Sequence, residues 1–316
     1  MAHRRIMNEV LAAVLTTVVP VFALVGLGYG AMRAKLMDAA AQRGLVLFAF
    51  SFAAPALLFS AGLSSEGMGG VSAIAFFAGC LATYALVFVL ARTRLALRIG
   101  PAALVALNAG FGNIVAMGIP LTLAAFGPET LSILFGIIGL HSLALVGLTT
   151  VLLELDAKGT GGLRALGRVV GAVLANPIVA ALLAAILWRT LGLPPLPGPV
   201  KATLDLLGAA SSPVALVSLG AGLAAFRLGD GWQDVMLGTV AKLFIMPALV
   251  WGAALAIGLD GPALAVTVTA AALPTGSNPV LLAARYGVGM DRAGATVVAS
   301  TLVSVLTLSV LVAVFR

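Results

Sequence analysis

Apolar runs of about 20 residues recur along the whole chain, separated by short stretches where glycine, proline and charge collect. Each run is long enough to cross a ~30 Å hydrocarbon layer as a helix. A membrane β-barrel would instead show ~10-residue segments of alternating polarity. The pattern predicts ten spans. The first five cover Val10–Met32, Gly44–Leu63, Val71–Ala91, Pro101–Phe126 and Leu131–Leu153. The second five cover Val169–Leu191, Leu204–Phe226, Val235–Gly258, Pro262–Tyr286 and Ala293–Phe315. The apolar stretch after Arg4 and Arg5 exceeds the core of a secretory signal and lacks a small-residue cleavage pattern, so it is taken as the first span.

Composition agrees with the pattern. Hydrophobic residues make up 61% of the chain and charged residues 9%, whereas soluble domains carry about 25% charge. The net charge of +7 does not imply nucleic acid, because Lys and Arg sit at span ends and meet no interleaved aromatics. With ten spans both termini share a side, which holds Arg4, Arg5, Arg189, Lys201 and Arg316. The other side holds Arg33, Lys35, Arg43, Arg92, Arg94, Arg98, Lys158, Arg164, Arg168, Arg227, Arg285 and Arg292. That bias assigns the second side to the cytoplasm and both termini to the opposite face of a cell membrane. The single cysteine, Cys80, is a small core residue without a partner for a disulfide or thiolate metal site.

The chain also repeats itself. Pro55, Leu58, Ser60 and Gly62 recur as Pro213, Leu216, Ser218 and Gly220, and Pro120-Leu-Thr-Leu-Ala-Ala recurs as Pro279-Val-Leu-Leu-Ala-Ala. Five spans per half is odd, so residues 159–316 would enter the membrane inverted relative to residues 1–158. Inverted repeats of this kind are a transporter architecture, with the ligand site where the halves meet.

Spans 4 and 9 carry the chemistry. One contains Asn108-Ala-Gly-Phe-Gly-Asn113 followed by Met117-Gly118-Ile119-Pro120, the other Pro274-Thr275-Gly276-Ser277-Asn278-Pro279. Proline removes an amide donor and crowds the preceding turn, and glycine frees the backbone. Asn278 reads as an N-cap before a proline at the first helical position. A broken helix must be buried or line a cavity, and two half-helix N-termini near Pro120 and Pro279 would aim amides at an anion. The plain alternative is a pair of proline kinks. All eleven acids fall in loops or near span ends, which disfavours an antiporter built on buried aspartates. His141 in span 5 is a candidate proton-coupling group or a neutral histidine bonded within the bundle. Lys242 in span 8 either attracts the substrate anion or snorkels toward the cytoplasmic interface. Ser211, Ser212, Ser218 and Asn176 read as helix-packing polar residues.

These motifs carry a resemblance. Asn113-x-x-x-Met117-Gly118-Ile119-Pro120-Leu121 and Ala272-Leu273-Pro274-x-Gly276-x-x-Pro279, with Ala283 and Tyr286, resemble the auxin efflux carrier family of plant PIN proteins and bacterial carboxylate permeases. The resemblance implies an all-α fold of the NhaA and bile-acid-symporter kind, with spans 4 and 9 unwound and crossing. Spans 1, 2, 6 and 7 would form a scaffold, and spans 3–5 and 8–10 a mobile core. It points to Asn113, Pro120, Asn278 and Pro279 at the crossing. Ser277-Asn278 before the proline and a short connection from Glu154 to Arg168 depart from the plant pattern and suit a bacterial organic-acid carrier.

The expectation is an alternating-access carrier of a small organic anion, with Asn108, Asn113, Gly118, Pro120, Pro274, Thr275, Gly276, Ser277, Asn278 and Pro279 at the site. It needs no cofactor or metal beyond a coupling sodium ion or proton, if either is used. Its partners are the substrate, the bilayer and, in one reading, a second copy in a homodimer. Rival readings are a sodium- or proton-coupled bile-acid-like symporter, a channel and a non-transporting receptor. An enzyme is disfavoured because no paired catalytic residues stand out.

Overall fold

The computed structural model describes residues 18–64, 70–156, 171, 177–224 and 231–315. The start of the first predicted span, part of the sixth including Asn176, and Arg4, Arg5, Glu66, Lys158, Arg164, Arg168, Arg227, Asp230 and Arg316 lie outside them.

The described chain is helical apart from its connections and one isolated β-bridge. Its helices are α1 (Val19–Arg33), α2 (Ala39–Phe48), α3 (Ala54–Ser64), α4 (Gly70–Thr93), α5 (Ile99–Gly110), α6 (Ile119–Phe126) and α7 (Leu131–Asp156). Then follow α8 (Pro177–Thr190), α9 (Gly198–Ala209), α10 (Ser211–Leu223), α11 (Trp232–Val240), α12 (Met246–Ala256), α13 (Gly261–Ala272), α14 (Asn278–Tyr286) and α15 (Met290–Phe315). Six continuous helical stretches among the described residues are long and apolar enough to cross a membrane, and five shorter apolar helices accompany them. Their outer faces carry exposed Leu27, Phe52, Ile74, Leu206, Phe244 and Leu306. Such faces suit lipid rather than water.

Prolines set the local irregularities. Pro55, Pro120 and Pro247 each follow a π-helical turn, at Ala49–Ala53, Ile114–Gly118 and Ala241–Ile245. The residue four before each proline, where the ring meets a carbonyl, is the middle of that turn. Widening to i→i+5 bonding relieves the clash while the backbone stays paired. The irregularities before Pro55 and Pro247 therefore take the form of π-turns. The seventh span starts earlier than its apolar pattern indicated, at Gly198, and turns at Ala210 between α9 and α10.

The helices pack in two groups. α1 and α2 pack against α10, and α3 lies between α8 and α9. The second group joins α4 to α5 and α12, α5 to α7 and α11, and α11 to α15. Ion pairs cap one end of this group, Arg98 to Asp156 and Arg292 to Asp234, while Lys201 pairs with Asp205 elsewhere.

The α1–α10 contact depends on two glycines. A Cβ at Gly28 would stand 1.9 Å from Val217 O, and one at Gly220 1.8 Å from Val25 O. Without a hydrophobic drive between helices in lipid, close backbone approach supplies the packing energy. Gly220→Ala should therefore cost more than the ~1–3 kcal/mol of ordinary overpacking, since the obstacle is backbone. Thermal unfolding in detergent should show a clearly lowered midpoint. Gly26→Ala, whose Cβ meets nothing within 4 Å, should leave the midpoint unchanged.

Candidate functional site

Two helices break where they meet. α5 stops at Gly110 and α13 at Ala272, and the segments Phe111–Asn113 and Leu273–Ser277 run past one another. Gly112 and Thr275 form an antiparallel bridge. Asn113 N donates to Pro274 O at 2.8 Å, and Gly276 N donates to Phe111 O at 2.9 Å. The fit is tight at glycine: a Cβ on Gly276 would lie 2.9 Å from the Phe111 ring, and one on Gly118 2.6 Å from Leu273 Cδ1.

Side chains from flanking helices hold the other freed backbone groups, at matching places in the two breaks. Gly112 N donates to His141 Nε2 on α7 at 3.1 Å, and Thr275 N donates to Ser300 Oγ on α15 at 3.0 Å. Lys242 Nζ donates to Ala271 O at 2.5 Å, and Cys80 Sγ on α4 approaches Gly110 O at 3.5 Å. Thr275 Oγ1 ties the crossing to Asn108 O at 2.8 Å. His141 and Ser300 have the same sequence separation as Pro120 and Pro279.

Lys242 is fully buried and its Nζ also touches Met246 Sδ at 3.3 Å. This removes the snorkelling alternative: the amino group turns inward because an unpaired carbonyl at a helix C-terminus is a strong local acceptor. His141 is 3% exposed, stacks on Phe111 at 4.4 Å and meets the edge of Phe76. Since Nε2 accepts from Gly112, the proton of the neutral ring sits on Nδ1. That Nδ1 has no protein partner.

Two cavities meet at the crossing. A chamber of 120 Å³ is lined by His141, Ser142, Asn113, Gly276, Ser277 and Asn278. A vestibule of 560 Å³ runs from Gln42 and Arg43 on α2 to Asn113 and Ser277. Phe50, Asn113 and Ser277 line both. A third cavity of 540 Å³, with Ser60, Glu129, Ser132 and Asp205 on its wall, shares no lining residue with either.

Of the expected site residues, the structure gathers Asn113, Gly276, Ser277, Asn278 and His141 around the chamber. Asn108, Gly118, Pro120, Pro274, Thr275 and Pro279 are buried behind it and line neither cavity. Two local readings need correction. Ser277, not Asn278, is the N-cap of α14, with Asn278 the first helical residue and no side-chain cap bond. Winding after the first break resumes at Ile114, not near Pro120, because the π-turn absorbs the proline clash upstream. Sequence reasoning missed Ser300, Ser142, Phe50 and the cavity position of Arg43. Ser300 was within reach through its separation from His141. Phe50 and Arg43 come from the other packed group and left no local signal.

The chain matches the family model described as "Membrane transport protein" over residues 13–161 and 163–312. It belongs to that family. The resemblance to auxin efflux carriers is thereby family membership, and the chain is a multi-pass membrane protein of a transport family. Among relatives in this family it is 28% identical, over 97% of both chains, to a protein of Rhizobium meliloti (strain 1021) named "Putative malonate transporter". Family and relative both point to a transporter rather than an enzyme.

The crossing makes a ranked prediction. Lys242→Met leaves Ala271 O without its donor, and Ser300→Ala leaves the Thr275 amide unpaired. Each should destabilise by about 1–3 kcal/mol, the cost of an orphaned buried group. Cys80→Ala should cost less, because a thiol is a weak donor. Melting midpoints of the three purified variants give the order.

Proposed function

We propose that this protein is a secondary transporter that moves a small carboxylate, mono- or dicarboxylate, across the cell membrane by alternating access. The observation that carries the reading is the crossing chamber. It gathers Asn113, Ser277, Asn278 and buried His141 beside the first turns of two half-helices. First-turn amides lack intrahelical acceptors and carry the positive end of the helix dipole. Such a set offers donors without acidic repulsion, which suits a carboxylate. The family and the printed name of the malonate-related protein support the same class.

In this reading residues 1–158 and 159–316 are inverted repeats, supported by the matched motifs and by the paired roles of His141 with Ser300 and Cys80 with Lys242. The group containing α1, α3, α8 and α10 is the scaffold. The group around α4, α5, α7, α11, α12, α13 and α15 is the moving core. With the Arg-rich end in the cytoplasm, the vestibule reaching Arg43 gives the crossing cytoplasmic access, while the cavity at Glu129 and Asp205 stays separate. Lys242 already occupies Ala271 O, the kind of half-helix C-terminal carbonyl that coordinates sodium in other carriers. This weighs against a sodium-coupled symporter.

Proteoliposomes loaded with malonate test the proposal. Uptake of labelled malonate should saturate and be accelerated by internal malonate. Asn113→Ala and Asn278→Ala should each lower uptake at least about tenfold at equal incorporation, as expected when a buried polar recognition group is removed. Flux without acceleration by internal substrate would mean a channel, and binding without flux a receptor. Undiminished transport in both variants would overturn the site.

A further inference from the structure

The crossing chamber contains no cationic side chain. Its lining donors, His141, Ser142, Asn113, Ser277 and Asn278, are neutral or take a neutral form. Lys242, the buried cation nearby, faces Ala271 O and lines neither cavity. One carboxylate can be accommodated there by hydrogen bonds and helix-end dipoles. A second negative charge needs a counter-charge elsewhere.

The vestibule supplies one. Arg43 is the sole charged residue on its wall, with Gln42 beside it and apolar Val46, Phe50, Leu219 and Leu281 around it. Among the described residues Arg43 makes no ion pair, whereas Arg98, Lys201 and Arg292 each hold a carboxylate. Arg43 stands seven positions before Phe50, the residue shared by chamber and vestibule, which is about 10 Å along the helix axis. Arg43 and Phe50 line the same vestibule, and Phe50 also lines the chamber, so the two cavities form one path past Arg43. Apolar walls around a lone cation strengthen its field on an entering anion, and the planar guanidinium suits two-pronged contact with a carboxylate.

We propose that Arg43 binds the second carboxylate of a short dicarboxylate whose first carboxylate occupies the crossing chamber, and so sets selectivity for dianions over monoanions. The inference rests on the carboxylate-carrier reading above, and it adds a residue from the scaffold group to a site otherwise built by the core. Substrate selection would then be linked to the alignment of the two groups, because the full dicarboxylate site exists only where Arg43 and the chamber face one cavity.

Malonate and monomethyl malonate share a skeleton and differ by one charge, which makes them the probes. Affinities are measured on purified full-length protein at high ionic strength, where long-range steering is screened. The wild-type chain should bind malonate at least about tenfold tighter than the monoester. Arg43→Gln should bring that ratio near one by weakening malonate alone, with the monoester and the melting midpoint unchanged. Arg43→Lys should keep part of the preference. A wild-type ratio near one, or loss of both ligands in parallel in Arg43→Gln, overturns the role of Arg43 while leaving the carrier reading intact. If the wild type binds neither ligand, the carboxylate reading fails and this inference fails with it.

Discussion

A backbone group without a partner is costly in hydrocarbon, and this molecule is organised around meeting that cost at one place. Two helices unwind in mid-chain, and each releases amides and carbonyls that lipid cannot satisfy. The bridge between Gly112 and Thr275 pairs the two breaks with each other. His141, Ser300, Lys242 and Cys80 then take the groups that the bridge leaves over. Neither break is stable alone, since each uses the other as its strand partner. The crossing is therefore a single cooperative unit whose four supporting residues come from four different elements.

The same requirement explains the proline pattern. Membrane helices tolerate proline only if the displaced carbonyl is accommodated, and here the π-turns at Ala49–Ala53, Ile114–Gly118 and Ala241–Ile245 do so. One such turn carries Phe50 to the junction of the cavities, another starts the half-helix after Asn113, and the third presents Lys242 to Ala271 O. Two of these irregular turns thus carry residues that face the candidate ligand path, and the third braces the crossing through Lys242. Regular stretches such as α4 and α15 serve as rigid walls.

The contrast between cavities gives the site its electrostatic character. The wall of one carries Arg43 and no acid, and the wall of another carries Glu129 and Asp205. A carboxylate is drawn toward the first and repelled from the second. At the crossing itself charge is sparing, and the proposed site relies on neutral donors in a buried chamber. A weakly charged site suits a carrier, which must release its cargo as readily as it takes it up.

Hydrophobic run length determined the membrane class and most helix positions from sequence alone, because crossing hydrocarbon demands about 20 apolar residues regardless of neighbours. The breaks in the fourth and ninth spans were equally legible, since glycine and proline act on their own local backbone. Local rules went astray where a cap or a turn depends on what lies upstream: Asn278 was read as a cap that Ser277 provides, and Pro120 as a start that lies at Ile114. The direction of Lys242 could not be read from its depth in a span, because water at the interface and Ala271 O both offer acceptors and only packing decides between them. The joining of Arg43 and Phe50 to the crossing is likewise a tertiary fact. Their helix carries no unusual motif, and they enter the site only because a separate packed group is laid against the broken helices. Sequence fixes what each segment can do with its own backbone, whereas contacts between distant segments decide which side chains share a cavity.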